Sequence, residues 1–250
     1  MMLSAHQVAF SYRSDPTIED ISFMVNRHDV LSILGPNGSG KTTLLKCINR
    51  ILAPRSGSVF IGETDAEQMH PKEIARKIGY VPQRGELSRM TVYDLVLIGR
   101  SPHFGWTAGA RDHELTAEVI ELMGLSSLAV RYADELSGGE FQLVQIARAL
   151  VQQPSVILLD EPTSSLDMKN QHQVLSNIKT IVSTRPMAAV MSVHDINLAL
   201  RYSTAFILLK EGSMYAAGGR EVITPENMHA VYAIEMDVEE FNGTPLVIPK

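Results

Sequence analysis

The chain has 250 residues and a mass of 27.6 kDa, with 45% hydrophobic and 20% charged residues, the profile of one enzyme-sized globular domain and not of a disordered tract. Lys and Arg number 22 against 28 Asp and Glu, and the net charge of −6 argues against wrapping a nucleic-acid backbone over any broad surface. The longest unbroken apolar runs, such as Met187–Met191 and Ala205–Leu209, are five residues long, whereas a membrane-crossing helix needs about twenty.

The first Arg is Arg13, so no basic cluster precedes an apolar stretch and no secretion signal is expected. Leu3–Phe10 and Ile18–Val25 read as strands, joined by a turn at Ser14-Asp15-Pro16. Val30–Leu34 is a short apolar run that ends in a Gly-rich turn. A helix is predicted after it, because Leu44, Leu45, Ile48, Ile51 and Leu52 form one stripe at helical period. The only cysteine, Cys47, lies on this helix as a small core residue; one cysteine allows no internal disulfide and fits a reducing cytoplasm. Residues 86–135 show helical patterning broken by Gly99, Pro102, Gly105 and Gly109, which reads as an inserted helical lobe. The helical stripe returns at Leu143, Val144, Ala147, Leu150, Val151 and at Val174, Leu175, Ile178, Ile181, Val182. Val156–Leu159 and Ala205–Leu209 are apolar at every position and Ala188–Val193 at all but Ser192, as parallel strands covered on both faces should be. The tail from Pro225 to Lys250 reads as one short helix and two weak strands.

Three motifs carry chemistry. Gly35-Pro36-Asn37-Gly38-Ser39-Gly40-Lys41-Thr42 matches the phosphate loop G-x-x-x-x-G-K-[ST]. Its glycines let backbone N–H groups turn inward around phosphate, Lys41 adds a point charge, and the Thr42 hydroxyl can ligate Mg²⁺. The following helix adds the positive end of its dipole. An accidental Gly-rich turn is the plain alternative, but a chance match is on the order of one in a hundred for a chain of this size. Four apolar residues then run into Asp160-Glu161, at a strand end where open α/β sheets bind ligands. Asp160 is placed to hold Mg²⁺, and Glu161 to act as general base on the water that attacks the γ-phosphate. Ser137-Gly138-Gly139-Glu140, opening the second striped helix, forms another anion site. One domain needs only one site for a γ-phosphate, so the second one completes the pocket of another copy. Alone it would read as a Ser-Gly-Gly helix cap.

Together these motifs resemble the nucleotide-binding domain of ATP-binding cassette transporters, over nearly the whole chain. The resemblance implies a P-loop NTPase α/β fold: a RecA-like parallel-sheet core with an N-terminal antiparallel β lobe and an inserted helical lobe. Residues 1–250 form one such domain, with 1–85 and 151–250 in the β lobe and core and 86–150 in the helical lobe that bears the signature. It also implies that Gln83, in Gly79-Tyr80-Val81-Pro82-Gln83, is the glutamine that touches Mg²⁺ and senses the transport subunits. Asp167, in Ser164-Ser165-Leu166-Asp167, belongs to the loop that crosses the dimer interface. His194 resembles the switch histidine, which otherwise would read as a satisfied strand-end histidine. Tyr12 matches the aromatic that stacks on adenine, its alternative being a strand tyrosine packed on the core. Thr43 joins the nucleotide contacts beside Thr42. Two departures stand out: Glu140 where many cassettes have Gln, and Leu143 where many carry Arg.

The segment Thr91–His103, with its Gly99-Arg100-x-Pro102-His103 core, and the tail Thr224-Pro225-Glu226-Asn227 with Val231-Tyr232 resemble importers of ferric siderophores, haem, cobalamin and related metal chelates or oxyanions. His103 is not expected to ligate metal, since no histidine here forms a ligand-spaced pair. The expected protein is an ATPase at the cytoplasmic face of the membrane. Its partners are a second copy of itself, transmembrane permease subunits and, through them, an extracytoplasmic substrate-binding protein; ATP and Mg²⁺ are its ligands, and no nucleic acid is expected. The competing reading is a soluble cassette ATPase of cofactor assembly. A GTP switch would need an Asn-Lys-x-Asp motif, and the sequence has none.

Overall fold

The computed structural model describes every residue except Ser14, Arg84, Glu86, Leu87, Ser88 and Asn242, and omits the side chain of Thr244. In chain order it runs β1 (Leu3–Ser11), β2 (Pro16–Val25), β3 (Val30–Leu34), α1 (Lys41–Ile48), β4 (Ser56–Ile61), β5 (Thr64–Asp65), α2 (Pro71–Lys77) and β6 (Ile78–Val81). There follow α3 (Val92–Leu97), α4 (Ala110–Leu122), α5 (Gly138–Leu150), β7 (Val156–Asp160), α6 (Met168–Thr184), β8 (Ala188–Ser192) and α7 (Ile196–Tyr202). The chain closes with β9 (Ala205–Lys210), β10 (Ser213–Gly218), α8 (Pro225–Tyr232), β11 (Met236–Phe241) and β12 (Thr244–Pro249). The turn residue Ser14 and the first residues of the expected helical lobe, 86–88, lie outside the described residues.

One ten-stranded sheet organises the molecule, in the order β5-β4-β1-β2-β10-β9-β3-β8-β7-β6. Its β9-β3-β8-β7-β6 half is parallel, and β1, β2, β4 and β5 pair antiparallel. Every residue of β3, β7 and β8 is buried, because helices cover both faces. Successive side chains alternate between two cores: Leu158 joins α1 and the β lobe on one face, while Leu159 joins α3, α5, α6 and α7 on the other. The four-residue β6 and the β4–β5 ribbon are strands that periodicity alone did not reveal.

The helical stripes are borne out for α5 and α6, whose Val144, Ala147, Leu150 and Val174, Leu175, Ile178 are all buried. The first stripe is a correction. α1 stops at Ile48, Arg50 takes a left-handed φ of 56°, and the Leu52 N–H turns back to the Lys46 carbonyl at 3.1 Å. Ile51 therefore leaves the helix and is 53% exposed.

The Gly99–His103 segment straps α5. A side chain at Gly99 would stand 2.2 Å from the Arg148 carbonyl oxygen, so only glycine permits this approach. Arg100 is buried; its Nε donates to Asp112 Oδ1 at 2.9 Å and its Nη1 to the Val151 carbonyl at 3.0 Å. His103 spends its Nε2 on the Gln152 carbonyl at 3.0 Å, and burial together with Arg100 lowers its pKa. The Gly109 N–H and then Arg100 hold the Asp112 carboxyl below its usual range. The pair's stabilisation is thus present above the unfolded Asp pKa of about 3.9 and is lost as pH falls through the lower folded value. Asp112→Ala should cost about 3–5 kcal/mol in urea unfolding at neutral pH, since it leaves Arg100 buried without its counter-charge. A loss below about 1 kcal/mol, the scale of a surface pair, would contradict the strap.

Candidate active site

The site is assembled where the parallel strands end. β3 lies between β9 and β8, so the chain leaves the middle of the sheet at Gly35. Gly35 has φ 151°, and a Cβ there would stand 2.3 Å from the Leu209 carbonyl oxygen; the loop can only leave the sheet through glycine. The loop then wraps the N-terminus of α1, whose first turn carries no acid to compete for an incoming anion. A cavity of 210 Å³ opens against it, lined by Asn37, Gly38, Lys41, Thr42, Thr43 and Glu161 among others. Lys41 Nζ donates to the Gly35 and Pro36 carbonyls at 2.8 and 2.9 Å. Burial lowers its pKa, and the Glu161 and Asp160 carboxylates oppose that shift. The Ser39 hydroxyl is buried without a hydrogen-bond partner among the described residues.

Asp160 closes β7, 1% exposed. Its Oδ1 accepts from Thr42 Oγ1 at 2.9 Å and from Ser192 Oγ at 2.8 Å, tying α1, β7 and β8 together. Ser192 Oγ in turn accepts the Glu161 N–H at 2.9 Å. That bond helps to hold Glu161 in a left-handed conformation, φ 49°, which costs a non-glycine residue energy and recurs at functional sites. The turn aims the carboxylate between two partners: Oε2 accepts from Gln83 Nε2 at 2.5 Å, and Oε1 meets His194 Nε2 at 2.5 Å. Three residues singled out separately in the sequence thus touch one another.

Ser192 and Thr17 were missed by sequence reasoning. Ser192 is fully buried, and its only signal is a hydroxyl closing an otherwise apolar strand two residues before His194. Thr17 lines the cavity from β2, and nothing local marks it.

The remaining candidates stand apart from the cavity. Tyr12 is 59% exposed with its ring edge-on to Phe10, centroids 5.0 Å apart, so it is not a core tyrosine. Ser137 caps α5: its N–H and Oγ both donate to Glu140 Oε2, at 2.8 and 2.7 Å, which lowers the Glu140 pKa. The helix cap is therefore real, and Ser137 and Gly138 are nonetheless exposed. Asp167 caps α6 by accepting the Asn170 N–H at 2.8 Å. Leu143 packs against the core.

Residues 18–164 match the family model described as ABC transporter. The chain belongs to that family. It is 51% identical over 249 residues to an uncharacterized ABC transporter ATP-binding protein of Methanocaldococcus jannaschii, covering 100% of this chain and 98% of that one. It is 36% identical over 248 residues to the hemin import ATP-binding protein of Bordetella bronchiseptica, covering 95% and 94%. With the iron(3+)-hydroxamate import ATP-binding protein of Bacillus subtilis the figure is 34% over 241 residues, covering 94% and 89%. Among solved structures, an inward-facing transporter described as of metal-chelate type superposes with TM-score 0.86 at 30% identity, covering 100% of this chain and 96% of that one. A dimeric cassette bound to ADP and Pi superposes with TM-score 0.76 at 28% identity, covering 87% and 98%.

The fold is accordingly that of the ABC cassette, and the chain is an ATPase of that family. As in other ABC transporters, hydrolysis is coupled to transport, and the cassette works as a dimer beside membrane subunits. No described helix is long and apolar enough to cross a membrane. Glu161→Gln should retain ATP affinity while turnover falls by roughly 10²–10⁴, the range for a general base. Phosphate release and nucleotide titration check both halves; near-wild-type turnover would remove Glu161 from that role.

Proposed function

We propose that this chain is the energy-coupling subunit of an importer for a metal chelate: a ferric siderophore, haem, cobalamin or a related complex or oxyanion. The observation that carries the reading is the joint one of a phosphate loop, Asp160 and Glu161 assembled at one cavity and relatives that serve hemin and iron(3+)-hydroxamate import. A soluble assembly ATPase has no such support. The chain acts at the cytoplasmic face of the membrane on a pair of permease subunits, which receive cargo from an extracytoplasmic binding protein. One surface suits the permease: a 350 Å³ cavity near exposed Ile51, lined also by Ile74, Tyr80 and Gln152. Tyr80 Oη and Gln152 Oε1 there are buried without partners among the described residues, and burial pushes the Tyr80 pKa up to about 12. We assign residues 86–150 to the helical lobe, whose Gly99–His103 segment borders this cavity through the His103–Gln152 and Arg76–Pro102 hydrogen bonds, so that lobe and cavity meet the permease together.

Within the cassette, Mg²⁺ would be held by Thr42, Asp160 and Gln83. Hydroxyl, carboxylate and amide oxygens suit this hard ion, which needs only one or two carboxylates alongside phosphate oxygens. When bound, it neutralises charge that develops on the transferring phosphoryl group. The chain's own residues do the rest. Lys41 exchanges the Gly35 and Pro36 carbonyls for phosphate oxygens, and the phosphate loop supplies N–H donors. Glu161 accepts a proton from the attacking water, and His194 and Gln83 orient its carboxylate. Tyr12 stacks on the adenine face. Ser137, Gly138 and Gly139 of the second copy complete the site, Asp167 lies at the interface, and two ATP are enclosed between two chains.

A mixture of Lys41→Ala chains with Ser137→Arg chains tests the shared site. Both lesions fall on one composite site of the mixed dimer and leave the other intact. Each parent should be inactive and the mixture should recover part of the rate; a mixture that neither hydrolyses nor traps ATP, despite demonstrated heterodimers, would contradict the arrangement. For cargo, the chain reconstituted with its permease should show ATPase stimulated by a metal chelate presented on the binding protein. Stimulation by none of the chelates, with another solute active, would overturn the importer class proposed.

A further inference from the structure

His194 has few contacts of its own. Its side chain is 42% exposed, and among the described residues its ring makes one polar contact, to Glu161. Where the ring stands is therefore decided by the backbone on either side: the end of β8 before it and the start of α7 after it. α7 is capped by Asp195, whose Oδ1 accepts the Leu198 N–H at 3.0 Å. Within the same first turn, Asn197 presents its amide to the main chain of Val247 in β12. Its Nδ2 donates to the Val247 carbonyl at 3.0 Å, and its Oδ1 accepts the Val247 N–H at 2.8 Å. One side-chain amide thus satisfies both main-chain groups of one residue, as a neighbouring strand would.

The rest of the C-terminal hairpin shows why this clamp matters. Val247 is 4% exposed and joins the core on the α7 face, while Phe241 is 70% exposed. Between the hairpin, α6 and α7 lies a 540 Å³ cavity, walled by Met168 and His172 of α6, Asn197 and Leu198 of α7, and Phe241 and Leu246 of the hairpin. The hairpin grips α7 and stands off α6. None of its residues lines the phosphate-loop cavity.

We propose that Asn197 is a positioning residue for His194: it pins the first turn of α7 to the β11–β12 hairpin, so that the hairpin sets where the His194 ring meets Glu161. This rests on the ATPase reading of the site. A side chain that served only to hold the hairpin down would leave the histidine unmoved. A positioning residue moves the histidine first and the rate in consequence, without touching ATP binding.

The test uses the full chain with isotope-labelled histidine rings, the His194 signal being identified by its loss in His194→Ala. In Asn197→Ala the His194 ring signals and their titration midpoint should move, while those of His6 and His70, remote on β1 and before α2, stay fixed. The kcat should fall about tenfold or more, the scale of a misplaced catalytic group, with the KM for ATP within about twofold. Asn197→Asp keeps the acceptor but turns a carboxylate oxygen toward the Val247 carbonyl. It should reproduce the shift at near-wild-type melting temperature, which guards against a variant that merely fails to fold. Unmoved His194 signals in both variants would overturn the proposal, as would a preserved kcat in both alongside measurable wild-type turnover. Should the wild-type chain hydrolyse no ATP, the ATPase reading fails, and the ring signals alone still decide whether the hairpin positions His194.

Discussion

The Asp160 carboxylate is the constraint on which the site depends. It is buried at the carboxyl end of the central sheet, and a buried charge is tolerable only when its lone pairs are engaged. Thr42 and Ser192 provide those bonds, and in doing so they register α1 and the phosphate loop against β7 and β8. Ser192 Oγ, its proton donated to Asp160, accepts the Glu161 N–H on a lone pair and supports the left-handed turn that points the Glu161 carboxylate outward. Asp160, the phosphate loop and Glu161 are thus parts of one hydrogen-bonded unit rather than three motifs that happen to be near.

In this geometry every charged group of the site is spent on the protein itself. Lys41 lies on its own loop carbonyls, Thr42 on Asp160, and both Glu161 oxygens on Gln83 and His194. ATP would have to displace these internal contacts for its phosphates to be held. Gln83 follows β6 and His194 follows β8, so the two partners of Glu161 come from different strands of the sheet.

Much of this was legible in the sequence, for physical reasons. A phosphate loop needs glycines, a lysine and a hydroxyl at fixed spacing, and a fully buried parallel strand needs unbroken apolar residues, so Gly35–Thr42 and Val156–Glu161 declare themselves. The α5 and α6 stripes were readable because both helices bury one face throughout. The α1 stripe misled past Ile48, since periodicity cannot sense the left-handed turn at Arg50. The Gly99–His103 segment was legible as a pattern but not as a strap: a burial partner 51 residues away, Val151, leaves no local mark on Arg100. Ser192 and Asn197 escaped for the same reason, each a common polar residue whose meaning lies in a contact distant along the chain.

The central claim is that the Asp160 carboxylate links the fold to a metal-dependent ATPase site. Calorimetric titration of ATP with and without Mg²⁺, beside phosphate release, into the wild-type chain and Asp160→Asn tests it most directly. The amide can still accept from Thr42 and Ser192, so the fold and the metal-free affinity for ATP should persist. The gain in affinity and turnover that Mg²⁺ brings to the wild-type chain should be lost in the variant. If Asp160→Asn kept a wild-type response to Mg²⁺, the carboxylate would be a structural acceptor only, and the account of this site would be wrong.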